Sequence, residues 1–220
     1  SGKAAFFAGE ELRRAMLKLT NAAKDARISL ENGQLIVEEG GANATIKLSK
    51  LKADAAGYVL MGEGTFDPPT APLDENGQGV PYAAYGFGAH LAEVEVDIKL
   101  GTVKVLGITA AHDVGRAVNP TLVEGQVEGG VAQGLGMALM EEYVPGRSEN
   151  LHDYLIPTIG DVPEVDHILI EEPDLLGPYG AKGIGEQALI PTAPAIINAI
   201  RDATGARIRH LPATPERVRQ

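Results

Sequence analysis

Residues 89–108 read AHLAEVEVDIKLGTVKVLGI. Ala89, Leu91, Glu93, Glu95, Asp97 and Lys99 alternate with His90, Ala92, Val94, Val96, Ile98 and Leu100. Side chains on a strand point to opposite faces in turn, so the second, mostly apolar set marks a buried face. Gly101-Thr102 is a turn candidate, and Val103, Val105 and Ile108 carry the pattern into a second strand. Together these residues predict a β-hairpin. Downstream, residues 119–142 have helical periodicity, with Asn119 as N-cap and Pro120 at the first helical position. Residues 165–172 read as a short strand. A helix capped by Thr192 runs to Ala203 with Gly205 just past its end, and Thr214-Pro215 opens a last short helix. Upstream, Leu12, Ala15, Met16, Leu19 and Ala22 recur at helical spacing within 9–25. Strands are expected at 34–38 and 44–48 and over Tyr58 to Phe66. Residues 67–81, with four prolines and two glycines, form a loop. An antiparallel hairpin among helices, without regular strand–helix alternation, makes the fold class α+β: a mixed or antiparallel sheet with packed helices.

The chain has 220 residues, enough for one large domain or two small ones with a real core. It carries 30 acidic against 19 basic residues, a formal net charge of -11. Such a surface argues against nucleic acid and anionic membrane as partners. No apolar run approaches the roughly 18 residues that a spanning helix needs. Absence of cysteine excludes thiolate zinc sites and iron–sulfur ligation within this chain. The five histidines are scattered without an HxxxH or HxH pair, so no metal held directly by side chains is expected. The chain opens on Ser1-Gly2-Lys3 without an initiator methionine, as if cut from something longer.

Residues 124–142 read EGQVEGGVAQGLGMALMEE. The five glycines of this helical segment would together destabilise a helix by roughly 4–5 kcal/mol relative to alanine. Something must offset that. Gly125, Gly129, Ala132 and Gly136 form one small-residue stripe, along which a second backbone or a flat ligand could lie. Gln126 and Gln133 share a face, and a buried glutamine amide suits the amide and carbonyl edges of a heterocycle. Tight helix–helix packing, with glutamines that satisfy nearby backbone, is the other reading, and the one that spacing alone favours.

The stretch 177–186, GPYGAKGIGE, sets four glycines around one lysine and one glutamate. Lys182 precedes Gly183, so a Walker loop fails. The glycine spacing is the reverse of a dinucleotide fingerprint, and there is no serine for a nucleophile elbow. What remains is a loop whose amides can face a ligand and which ends in a carboxylate. Glu186 fits a general base, with a raised pKa if poorly solvated. It equally fits a turn that only contacts the helix after it.

Taken together, PYAAYGFGAHLAEVEVD, HDVGRAVNPTLVEGQVEGGVAQGLGMALMEE, GPYGAKGIGE and LPATPERVR resemble the C-terminal portion of the molybdenum-binding subunit of the xanthine dehydrogenase/aldehyde oxidoreductase family. The resemblance implies one molybdopterin-binding domain over 1–220, with subdomains of about 1–85 and 86–220. It implies that Glu186 is the base at a molybdenum-bound hydroxyl and that Gln126 contacts the molybdopterin. Lys182, Gly183 and Gly185 would line the cofactor side of the loop, and Ser1, Gly2 and Lys3 would fall at a pterin loop. The metal would be held through the pterin dithiolene, not by protein ligands. The cofactor would be molybdopterin in its cytosine dinucleotide form. The 2Fe–2S clusters and FAD would sit on partner chains, an iron–sulfur subunit and an FAD subunit. The family's upstream glycine-rich motifs are absent, so another polypeptide carrying the N-terminal portion would complete the site. The implied reaction oxidises an aldehyde or hydroxylates an N-heterocycle with oxygen from water, in the cytoplasm or the periplasm. Two other readings stand beside it: a structural fragment that only completes a larger subunit, and a cofactor-free hydrolase pairing Glu186 with Glu142 or Asp174.

Overall fold

A computed structural model describes residues 1–219, and the chain divides into two compact units, Ser1–Ala83 and a second from Ala84 onward. In the first unit α1 (Gly2–Thr20) ends at Asn21, whose left-handed φ of 58° lets its N–H reach back to Leu17 and Lys18 carbonyls. Asparagine tolerates that conformation better than most residues. Strands β1 (Arg27–Glu31), β2 (Gln34–Glu39) and β3 (Ala42–Lys47) form an antiparallel sheet in that order. Asn32 and Gly33 turn β1 into β2 with φ of 48° and 74°, the positive pair that a tight hairpin requires. Leu17, Ala26, Leu35 and Val37 form the buried centre of this unit.

The stretch Tyr58 to Phe66 is not a strand. It runs beside α1, so its neighbour is a helix backbone and not a second strand. Gly62 and Gly64 permit this approach: a Cβ on either would run into the carbonyls of Ala8 and Ala4 respectively. Residues 67–81 are a loop, closed at its base by a bridge between Ala71 and Val80.

The second unit is built on the hairpin β4 (Gly88–Asp97) and β5 (Thr102–Asp113). The turn begins earlier than the alternation suggests. Asp97 Oδ1 accepts from the N–H groups of Lys99 and Leu100, both at 2.9 Å. Gly101 takes a φ of 76°. Ile98 and Leu100 are therefore turn residues and exposed. A bulge at Glu93/Val94 adjusts the register. Strand β6 (Glu164–Ile170) pairs parallel with β5, so this sheet is mixed, in the order β4-β5-β6. Helices α2 (Pro120–Leu139) and α3 (Thr192–Thr204) cover one face, and α4 (Pro215–Val218) closes the far end of β5. The core joins Val105, Ile108 and Ala110 of β5 to Val127, Val131 and Leu135 of α2 and Ile196 and Ile200 of α3. Among the described residues, no helix is long and apolar enough to cross a membrane.

Candidate active site

The glycines of α2 divide by direction. Gly130 and Gly134 are buried against the turn that enters α3. A Cβ on Gly130 would stand 2.7 Å from Ala188, and one on Gly134 would run into Thr192. Gly125 and Gly129 face the other way and have nothing within 4 Å of a built Cβ. Packing thus accounts for Gly130 and Gly134, while Gly125 and Gly129 are left open. Gln126 and Gln133 are both exposed on the open side, not buried as an amide-reading role would suggest for a complete site.

The loop at 177–186 is anchored to the end of β5. Lys182 N–H donates to Val114 O and Arg116 N–H to Gly180 O, each at 2.9 Å. Gly115 sits opposite with φ of 65° and leaves no room for a side chain beside Gly180 and Lys182. Asp174 shapes the approach, its Oδ1 accepting from Leu176 and Gly177 N–H groups at 2.8 and 2.9 Å. The Lys182 ammonium does not reach out to solvent. Its Nζ bonds Asp113 Oδ2 at 2.5 Å and lies 5.8 Å from the Phe87 ring centre. Burial raises the Asp113 carboxyl pKa, but the Lys182 bond and charge and the backbone N–H donors outweigh it. The carboxyl is held below its usual value. Past this anchor, Gly183 and Gly185 are exposed, Ile184 packs on the core, and Glu186 is exposed. The described residues of this chain therefore leave the Glu186 side chain open. Glu186 O accepts from Leu189 N–H at 3.1 Å in the turn before α3. Gln126 is a neighbour of this arch, with its Oε1 4.0 Å from a Cβ built on Gly185.

Ser1, Gly2 and Lys3 open α1 in the first unit, where the Lys3 Nζ lies 5.2 Å from the Phe6 ring centre. Glu142 pairs with Arg217 at 2.8 Å, and Asp174 is occupied in its turn. The two carboxyls considered as acid partners for a hydrolase thus both have structural partners. One buried group has no trace in sequence spacing. His90 and His112 meet Nε2 to Nε2 at 2.7 Å across β4 and β5, with Thr192 Oγ1 3.1 Å from His90 Nδ1. Among the described residues, no three His, Cys, Asp or Glu side chains are grouped to hold a metal.

Residues 1–163 match the family model described as molybdopterin cofactor-binding domain. The chain belongs to that family. Its membership carries the resemblance to xanthine dehydrogenases and aldehyde oxidoreductases as well. The chain is 34% identical over 202 residues to the xanthine dehydrogenase molybdenum-binding subunit of Escherichia coli O157:H7, covering 87% of this chain and 25% of that protein. It is 37% identical over 197 residues to the aldehyde oxidoreductase of Megalodesulfovibrio gigas, covering 87% of this chain and 21% of that protein. The crystal structure of the Desulfovibrio desulfuricans aldehyde oxidoreductase superposes with a TM-score of 0.71 at 39% identity, covering 75% of this chain and 18% of that one. The chain therefore spans about a quarter of the length of these curated relatives.

The open side of α2 fits a molybdopterin. Gly125 and Gly129 leave clearance for a flat molecule, flanked by two amide side chains and by an arch of glycines ending in a carboxylate.

Proposed function

We propose that the chain is part of a molybdenum hydroxylase that oxidises an aldehyde or hydroxylates an N-heterocycle, and that Glu186 is its general base. The observation that supports this best is the placement of an exposed carboxylate, Glu186, at the end of a side-chain-poor arch beside Gln126. The reaction replaces a substrate C–H by C–OH, takes the oxygen from water, and releases two electrons and two protons. The cofactor, when bound, accepts the two electrons. Glu186 takes the proton from the oxygen nucleophile as the bond to the substrate carbon forms. Gln126 offers a donor and an acceptor to the pterin edge, and Gly183 and Gly185 keep the arch thin enough for close approach. The Lys182 ammonium serves Asp113, so Lys182 lines the cofactor side through its backbone. Ser1, Gly2 and Lys3 belong to the pterin-contacting segment in the same reading.

The cofactor is proposed to be the cytosine dinucleotide form. The 2Fe–2S clusters, which a chain without cysteine cannot ligate, are proposed to belong to a partner subunit, and FAD to another. The rest of the molybdenum subunit supplies most of the substrate pocket, and the complex is placed in the cytoplasm. The test is Glu186→Gln in the complete complex. Turnover should fall by about 10²–10⁴-fold with molybdenum content unchanged. Unaltered turnover would leave the chain a structural component of the larger subunit.

A further inference from the structure

The arch 183–186 has two ends, and one residue holds both. On the entry side, Asp113 Oδ2 takes the Lys182 ammonium at 2.5 Å. On the exit side, the Asp113 backbone carbonyl accepts from Gln187 Nε2 at 3.0 Å. Asp113 is itself fixed. It is buried, its Oδ1 accepts from Gly115 N–H at 3.0 Å, and its own N–H donates to Phe87 O at 2.9 Å. Ile184 adds an apolar peg into the core from the middle of the arch. Gly183 and Gly185 have no side chain with which to hold the backbone, and glycine is the residue that loses most freedom on ordering. Without the clamp, the segment that carries Glu186 would be the least constrained part of the site.

We infer that Asp113 and Gln187 are positioning residues for Glu186: a two-ended clamp at the C-terminal end of β5 that fixes where the carboxylate stands. This inference rests on the reading of Glu186 as the base. Gly86 gives direct access to the clamp. A Cβ on Gly86 would overlap Gln187 Oε1. The overlapped atom is the far end of a flexible side chain, so alanine at 86 displaces the Gln187 amide at little expense to the fold. A misplacement of about 1 Å in a reacting group can lower a rate by about 10²-fold.

The experiment uses the complete enzyme complex with Gly86→Ala and Asp113→Asn, each alone and in the Glu186→Gln background. We expect Gly86→Ala to lower kcat about tenfold or more, with KM within about twofold, as lost positioning leaves substrate binding intact. Molybdenum content should be unchanged, and deuterium uptake in the peptide spanning 182–188 should rise. In the Glu186→Gln background neither substitution should lower turnover further, because the clamp acts through that carboxylate. Unchanged kcat, or unchanged deuterium uptake, overturns the clamp as a positioning device. An equal further loss in the Glu186→Gln background, or a loss of molybdenum, also overturns it, in favour of general support or cofactor retention. If Asp113→Asn lowers the melting temperature too far to be assayed, Gly86→Ala decides alone. Full activity of Glu186→Gln itself would instead sink the base assignment, while the deuterium uptake of Gly86→Ala still judges whether the clamp holds the arch.

Discussion

Gly134 and Gly129 lie five positions apart on α2, yet a methyl group means opposite things at each. At Gly134 it would enter space already taken by the buried Thr192, with Cγ2 at 2.9 Å and Oγ1 at 3.0 Å. Overpacking of this kind costs about 1–3 kcal/mol, so Gly134→Ala should lower stability by that amount in denaturant melts. At Gly129 nothing lies within 4 Å, and alanine removes a helix-interior glycine worth up to about 1 kcal/mol. Gly129→Ala should therefore raise the melting temperature of the isolated chain. In the complete complex the same substitution should reduce cofactor occupancy, read as molybdenum per enzyme, because it fills clearance on the open face. Equal occupancy would show that the cofactor does not approach α2 at that position.

The buried histidine pair ties three elements together: β4 through His90, β5 through His112, and the start of α3 through Thr192. Burial first, and the His112 charge second, push the His90 pKa down from 6.5 to about 4. Between those values the unfolded chain binds a proton that the folded chain refuses. Stability contributed by the pair is therefore full above about pH 6.5 and is lost as pH falls toward 4. A His90→Gln variant should show a shallower decline of melting temperature than the native chain across that window. Equal slopes would mean that the pair does not titrate there. This pairing was not legible in the sequence, because it depends on register between residues 22 apart. The hairpin was legible, since alternation is local. So was the N-cap of α2, where Asn119 Oδ1 accepts from Leu122 N–H at 3.2 Å. Strand β1 also carries a local signal, the Asn32-Gly33 pair with its positive φ angles. Tyr58 to Phe66 misled because an extended apolar run resembles a strand even where a helix backbone is its neighbour. At the site, the glycines and Glu186 stood out as a motif. Asp113 did not, since its partner Lys182 lies 69 residues away.

At the scale of the whole molecule, the sheet β4-β5-β6 has one covered and one uncovered face. Val94 and Val96 of β4 and Ile108 of β5 point into the core with α2 and α3. Their alternates point away from it. Leu91, Leu106, Ile168 and Ile170 are exposed at 61%, 48%, 49% and 49%. In the register Ala89 faces Ala111 and Ala111 faces Ile168, which makes an apolar row across all three strands. Glu93, Glu95 and Asp97 follow Leu91 along β4 on the same outer side. Contiguous apolar surface of this kind marks a contact with another part of a protein. The relatives are about four times longer than the matched region, since the chain covers 25% and 21% of them. Under the proposed function, the rest of the molybdenum subunit is the natural cover. The chain alone should therefore enhance the fluorescence of a hydrophobic dye, and the complete molybdenum subunit should not. Leu91→Lys and Ile168→Lys should weaken dye binding by the chain alone and weaken its association with the remaining portion. Because the strip beside the row is acidic, a basic cover is expected there, and association should then weaken as salt is raised. Retained association in both lysine variants would move the contact to another face and leave the outer side of this sheet free.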